Sequence, residues 1–216
     1  MQVHQLSLPG RGPENQDALA VVCHPQDRDL LLLALADGQG GQPGGGAAAR
    51  LAVASVLESA LLCSPAALMD PDRWPALLEQ ADRRVWETAG AGFTTLLACC
   101  LTAHRLAGAA NGDGALVVVD AAQGRLLTAA VPRNPPVGCS RAAIKAFGDR
   151  LTPPWLVMAV SDGVWKYTGL DPLLGIQPDV DAPLLAHRLR ERARGPGVSG
   201  LQDDFTLAII QSRPVG

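Results

Sequence analysis

Aspartates recur at the ends of apolar runs in this chain. Asp17 opens ENQDALAVV, Asp37 closes LALADGQGG, Asp113 closes AGAANGDG and Asp162 closes LVMAVSDGVW, while Asp203 and Asp204 open LQDDFTLAII. Any one Asp-Gly is most simply a turn. A set of them beside core strands asks for more, because carboxylates gathered at a sheet edge repel and desolvate one another. The chain carries 18 Lys and Arg, and almost none lies next to these aspartates in sequence. A divalent cation is the natural counter-charge, and carboxylates with a backbone carbonyl and water make the hard oxygen shell of Mg²⁺ or Mn²⁺. Gly38, directly after Asp37, lets the main chain approach and offer that carbonyl. Two such ions a few Å apart would bridge a water, lower its pKa and aim it at a phosphoryl group.

The glycine-dense stretch ADGQGGQPGGG that follows the Leu30–Ala36 run invites a second chemistry, a phosphate cradle for a nucleotide. It has no lysine and no G-x-x-x-x-G-K-[ST] pattern, so that reading fails.

Around these residues the chain must supply rigid elements. At 216 residues with 48% hydrophobic and 18% charged residues, one globular domain spanning residues 1–216 is expected. A net charge of -3 gives no electrostatic footprint for nucleic acid or anionic lipid. The longest apolar run, Leu30 to Ala36, falls far short of the roughly 20 residues a membrane span needs. The N-terminus lacks an apolar segment of signal-peptide length, so a cytoplasmic location is expected, with a monomer as the expected state. Five cysteines without a C-x-x-C pair, and four scattered histidines, suggest neither a disulfide framework nor a zinc site.

DALAVV and DLLLLALAD read as strands separated by the turn-like HPQDRD. GGAAARLAVASVLESALL reads as a helix. A second helix begins with Asp70 as N-cap and Pro71 at N1, its apolar stripe being Trp74, Leu77, Leu78, Ala81 and Val85. Asp82, Arg83, Arg84 and Glu87 fall on the opposite, solvent face, and Trp74 and Trp86 are expected in packing. FTTLLACCLTA, RLAGAANGD, ALVVVDAAQGRLLTAAV and PWLVMAVSDG read as strands, with DAAQGR a hairpin whose glycine takes a positive φ. A helix over about Ala182–Arg194, closed by Gly195, and a last strand DDFTLAIIQ complete the pattern. Strands, two helices, strands, a helix and a strand describe an α+β protein with helices packed on antiparallel sheets.

The pieces NQDA, ADGQGG, GFTTL, GD, SDGVW and DDFT stand in the order found in the PP2C-type (PPM) metal-dependent protein serine/threonine phosphatases, and the chain resembles bacterial members of that family from Arg11 to about Ile210. The resemblance implies a central β-sandwich of two antiparallel sheets flanked by α-helices, with metals at one end. It implies hydrolysis of phosphoserine and phosphothreonine in proteins by direct attack of a metal-bridging water, with two or three Mn²⁺ or Mg²⁺ ions. Asp37 would bridge the metals with the Gly38 carbonyl as a further ligand, and Asp17 would hold metal-bound water. Asp162 and Asp203 would complete one shell, and Asp113 would bind a third, weaker ion. Arg11 would hold the substrate phosphate, its guanidinium fork suiting a dianion. The partner implied is a phosphorylated protein that a Ser/Thr kinase supplies.

Some positions depart from the family pattern. Arg11 lies one residue farther from Asp17 than usual, NGDGA lacks the usual Ser-Arg after its aspartate, and Gln42 replaces a common His. The interval between Asp113 and Asp162 is short, so a reduced flap is expected. A catalytically weak relative that binds metal and a partner protein is the alternative, and retained aspartates argue against it.

Overall fold

The computed structural model describes residues 1–12, 14–41, 43–194 and 200–212. In chain order it contains β1 (Gln2–Leu8), β2 (Asp17–His24), β3 (Asp27–Asp37), α1 (Gly45–Leu61), α2 (Pro65–Leu68), a 3-10 turn (Pro71–Arg73) and α3 (Trp74–Trp86). There follow β4 (Leu96–Leu101), β5 (Arg105–Asn111), β6 (Ala115–Asp120), β7 (Gly124–Leu126), β8 (Lys145–Arg150) and β9 (Trp155–Val160). Then come α4 (Asp162–Thr168), α5 (Leu170–Leu174), α6 (Ala182–Arg194) and β10 (Phe205–Gln211). The strands form two sheets, in the orders β1-β10-β9-β6-β7 and β2-β3-β4-β5-β8, with antiparallel pairing throughout.

Strand β3 explains the layering. Its unbroken run Leu30–Ala36 is buried on both faces, which is why it shows no polar alternation. Side chains alternate along a strand. Leu30, Leu32, Ala34 and Ala36 pack with α1 and α3 residues such as Ala52, Val56 and Trp74. Leu31, Leu33 and Leu35 pack against Val157, Ala159, Ala208 and Ile210 of the other sheet. A third cluster joins that sheet to α4, α5 and α6 through Val160, Leu207, Val164, Leu173 and Leu185. The result is helix, sheet, sheet, helix: the expected sandwich.

The first predicted strands, the α1 helix and the 182–194 helix stand as read, whereas Gly195 lies outside the described residues. Asp70 caps its turn by accepting from the Asp72 N–H, but the first turn is 3-10 and α3 proper begins at Trp74. The α3 stripe is buried, and Trp74 Nε1 donates to the Leu68 carbonyl at 2.9 Å.

Two expectations on α3 fail. Trp86 is 60% exposed rather than packed. Asp82 is buried instead of solvated, because its carboxylate accepts N–H bonds from Gly138, Cys139, Ser140 and Ala142. At the DAAQGR hairpin Gly124 has no positive φ. The Asp120 carboxylate caps that turn through the Ala122 and Gln123 N–H groups. Glycine is required at 124 for room, since a Cβ there would meet the Leu174 carbonyl at 2.1 Å. Strands β1 and β8 and the short helices α2, α4 and α5 were absent from the sequence reading.

Candidate functional site

The alternation that buries the β3 leucines also aims its last residue. Asp37 has the parity of Leu31, Leu33 and Leu35, so it faces the space between the sheets, at its end. Asp17 is paired directly with Asp37 across β2 and β3, and directly opposed residues point to the same side. Two carboxylates facing one another across a ladder are unfavourable in themselves. From the other sheet come Asp162, the first residue of α4 after β9, and Asp203 and Asp204 just before β10. Asp113 sits in the β5–β6 turn beyond Gly112, whose φ is +101°. Thr95 anchors the Asp37 backbone: its Oγ1 accepts from the Asp37 N–H at 2.9 Å and its N–H donates to the Asp37 carbonyl at 2.9 Å. Gly38 is buried against the start of α1, where a Cβ would meet the Gly45 carbonyl carbon and oxygen at 2.4 Å.

These elements enclose a cavity of about 420 Å³ lined by Asp37, Gly38, Asp113, Asp162, Asp203 and Asp204, with Arg133 on its wall. A larger cleft of about 750 Å³ near Pro71, Arg105 and Asp149 holds none of the predicted residues and none of the buried carboxylates. The acidic cavity is the one with chemistry to explain. Arg11 and Asp17 do not line it. Asp17 borders a separate cleft of about 540 Å³ beside Ser7 and Arg50. Arg11 borders an adjoining cleft of about 340 Å³ that shares Gln16, Gly40, Asp203 and Asp204 with the acidic cavity.

Burial is costly here. Asp17 is only 7% exposed, and both of its carboxylate oxygens lack a hydrogen-bond partner. Burial, helped by the Asp204 and Asp162 charges, pushes its pKa up to about 7, although the Thr206 and Ser161 hydroxyls nearby hold it down somewhat. Asp37 is pushed up to about 10 by burial and then by the charges of Asp17, Asp162 and Asp203, with Asp162 within hydrogen-bonding reach. Asp203 is also raised, by burial and by Asp162. Asp204 is committed elsewhere: its oxygens accept the Gly10 and Gln16 N–H groups at 2.7 and 2.6 Å. That bond pair ties the segment before β2 to the start of β10.

The donor set fits a divalent cation: hard oxygen ligands, an orphaned buried carboxylate and several carboxyls whose ionisation is suppressed only by one another and by burial. The carboxylates line the wall without closing on one point. Among the described residues no three His, Cys, Asp or Glu side chains converge as a metal shell. Few cations stand beside the aspartates in sequence, but the fold gives one of them an ion pair. Lys166, one turn along α4, makes an ion pair with Asp162. Sequence reasoning passed over Lys166, Arg133 and Thr95, which become neighbours of the aspartates only through the fold. The i,i+4 spacing of Asp162 and Lys166 was the one available signal.

A pH effect follows for the chain stripped of metal. Asp17 and Asp37 titrate near 3.8 when unfolded but near 7 and 10 when folded, so the folded state retains protons that the unfolded state has lost. Raised carboxyl pKa values make stability fall as pH rises through that window. Urea unfolding in EDTA is expected to show a lower midpoint at about pH 8 than at about pH 5, by about 1.4 kcal/mol per pH unit for each extra proton held. A midpoint that rises with pH would contradict the burial of these carboxyls.

Comparison with known proteins accords with this geometry. The sequence profile of the family Protein phosphatase 2C matches residues 8–135, more than half of the chain. No curated protein sequence matches it. Among solved structures, a bacterial serine phosphatase superposes with a TM-score of 0.77 at 17% identity, covering 99% of this chain and 98% of the other. The serine/threonine phosphatase Stp1 from Staphylococcus aureus gives 0.75 at 16%, covering 98% and 95%. The catalytic domain of the serine threonine protein phosphatase PstP, in complex with two manganese ions, gives 0.75 at 19%, covering 96% of each. At such identities the likeness is one of fold, and the profile match supplies the kinship: the chain belongs to the protein phosphatase 2C family.

Proposed function

We propose that this chain, acting as a single domain, is a metal-dependent protein serine/threonine phosphatase that removes phosphate from phosphoserine and phosphothreonine. The observation that carries the reading is the buried, partnerless Asp17 set directly opposite Asp37 at the mouth of the sandwich. Such a pair has little structural use and is strongly destabilising without a cation. Asp37, Asp162 and Asp203, with the Gly38 carbonyl, are the groups proposed to hold Mn²⁺ or Mg²⁺, and Asp17 to hold water beside them. When bound, the ions supply Lewis acidity and an activated water for attack on phosphorus.

The chain's own residues do the rest. Thr95 fixes the Asp37 backbone, so its carboxylate is presented without reorganisation. Arg11, in the adjoining cleft, is proposed to take the phosphate oxygens with its guanidinium fork, and Arg133 offers a second cation on the wall of the acidic cavity. The residues between Leu126 and Lys145 form a loop that lines one side of the cavity through Arg133, Asn134 and Pro136. On this reading that loop stands where the family's flap would be and borders the cleft that a phosphorylated side chain would enter. The phosphorylated protein is proposed to come from a Ser/Thr kinase. Among the described residues no helix is long and apolar enough to cross a membrane.

The direct test is release of phosphate from phosphoserine, phosphothreonine and phosphotyrosine peptides with Mn²⁺, Mg²⁺ or EDTA. Hydrolysis of the first two that needs a divalent ion is expected. A folded chain that binds Mn²⁺ but releases no phosphate would instead favour a binding module.

A further inference from the structure

Lys166 stands just outside the acidic cavity and reaches one of the carboxylates on its wall. Asp162 opens α4 and Lys166 follows one turn later, which brings Nζ onto Asp162 Oδ2. Among the described residues it is the only Lys or Arg that makes an ion pair with any of Asp17, Asp37, Asp113, Asp162, Asp203 and Asp204. The carboxylates of Asp113 and Asp203 also lie close enough to act on its charge.

The approach of Asp113 is fixed by the residue beside the lysine. Trp165 Nε1 donates to the Asp113 carbonyl at 2.8 Å, clamping the β5–β6 turn onto α4. The ammonium is thus placed by two short-range devices, a helical turn and an indole hydrogen bond, on the Asp113 side of Asp162. Its stem is on the surface, with 44% of the side chain exposed, while Asp162 is 13% exposed.

Both Asp162 oxygens matter. Oδ2 is taken by Lys166, which leaves Oδ1 as the Asp162 oxygen without an ion-pair partner. A divalent ion between Asp113 and Asp162 would have to displace the ammonium or sit within a few Å of it, and like charges at that range repel strongly in a partly buried site. The partnerless Asp17 oxygens lie opposite Asp37, and among the described residues no Lys or Arg makes an ion pair with them.

We infer that Lys166 is the resident cation of the Asp113–Asp162 side, so that divalent ions bind only on the Asp17–Asp37 side, two in number, and a third is excluded. The inference rests on the metal-dependent reading above and sharpens it. The chain carries one permanent charge where a further exchangeable ion would otherwise be recruited.

Equilibrium dialysis and calorimetry with Mn²⁺ alone test this on the full chain, using wild type, Lys166→Met, Lys166→Gln, and Lys166→Met combined with Asp113→Asn. Wild type is expected to bind two Mn²⁺. Either lysine variant should bind one more, at an affinity at least about tenfold above any residual third binding in wild type, because the repelling charge is gone. Adding Asp113→Asn should abolish the gained ion and leave the other two. Circular dichroism confirms that each variant is folded, and two neutral replacements guard against the failure of one. A wild type that already binds three ions, or lysine variants that still bind two, would overturn the role of Lys166 and leave the metal reading intact. No Mn²⁺ bound by any of the proteins would overturn the metal reading, and this inference with it.

Discussion

Asp37→Asn is expected to lower turnover of a phosphopeptide in saturating Mn²⁺ by about a thousandfold, the worth of several kcal/mol of metal-assisted stabilisation. The substitution removes a charge but almost no volume, so the β3 ladder and its Thr95 anchor should persist. It should also raise the thermal midpoint of the EDTA-treated protein, since a buried carboxyl among Asp17, Asp162 and Asp203 becomes a neutral amide. These opposite changes, activity down and metal-free stability up, separate a catalytic carboxylate from a merely structural one. Steady-state kinetics and scanning calorimetry read both. Turnover within about threefold of wild type would remove Asp37 from the centre of the reaction.

Asp82→Ala should destabilise the fold strongly for a charged residue outside the cavity. Its carboxylate accepts the Gly138, Cys139, Ser140 and Ala142 N–H groups at 2.6, 3.0, 3.1 and 2.8 Å. A hydrogen bond to a charged group contributes about 1.5–3 kcal/mol, but the freed loop can turn part of its backbone to water, so the net loss is put at about 3 kcal/mol. For a chain of this size that is a fall of roughly 10 °C in Tm. Asn111 holds the same loop from below, its Nδ2 donating to the Pro135 and Ala143 carbonyls at 2.9 Å. Because the loop carries Arg133, Asn134 and Pro136 to the cavity, KM for a phosphopeptide should rise more than kcat falls. An unchanged Tm would show that the loop holds its form without Asp82.

The legible part of this protein was what short-range pattern controls. The Leu30–Ala36 run follows from its length and flanking turns, the Trp74–Val85 stripe from periodicity and the 182–194 helix from its C-terminal arginines, and the aspartates stood out by their place at strand ends. Asp82 misled because a charge on a helix is read as solvated, and only the distant 138–142 segment gives it a reason to be inside. Trp86 misled in the opposite sense: it ends α3 beside buried Val85 but faces solvent. β1 and β8 are sheet-edge strands of mixed polarity, where one covered face leaves too weak an alternation to read. The site was visible as a list of residues but not as a geometry. That Arg11 borders one cleft and Arg133 the other depends on how two sheets meet. The roles assigned to the aspartates follow from the family resemblance, not from their spacing in the chain.

The alternation along β3 makes that strand a ruler with two scales. Adding or deleting one residue in its body would exchange the leucine sets between helix layer and sheet layer and turn Asp37 towards α1. A change of two residues would restore the facing but shift the carboxylate by about 7 Å along the strand, out of line with Asp17. Length changes in this chain can therefore accumulate in the HPQDRD hairpin or the glycine loop, at either end of the ruler, but not between its marks.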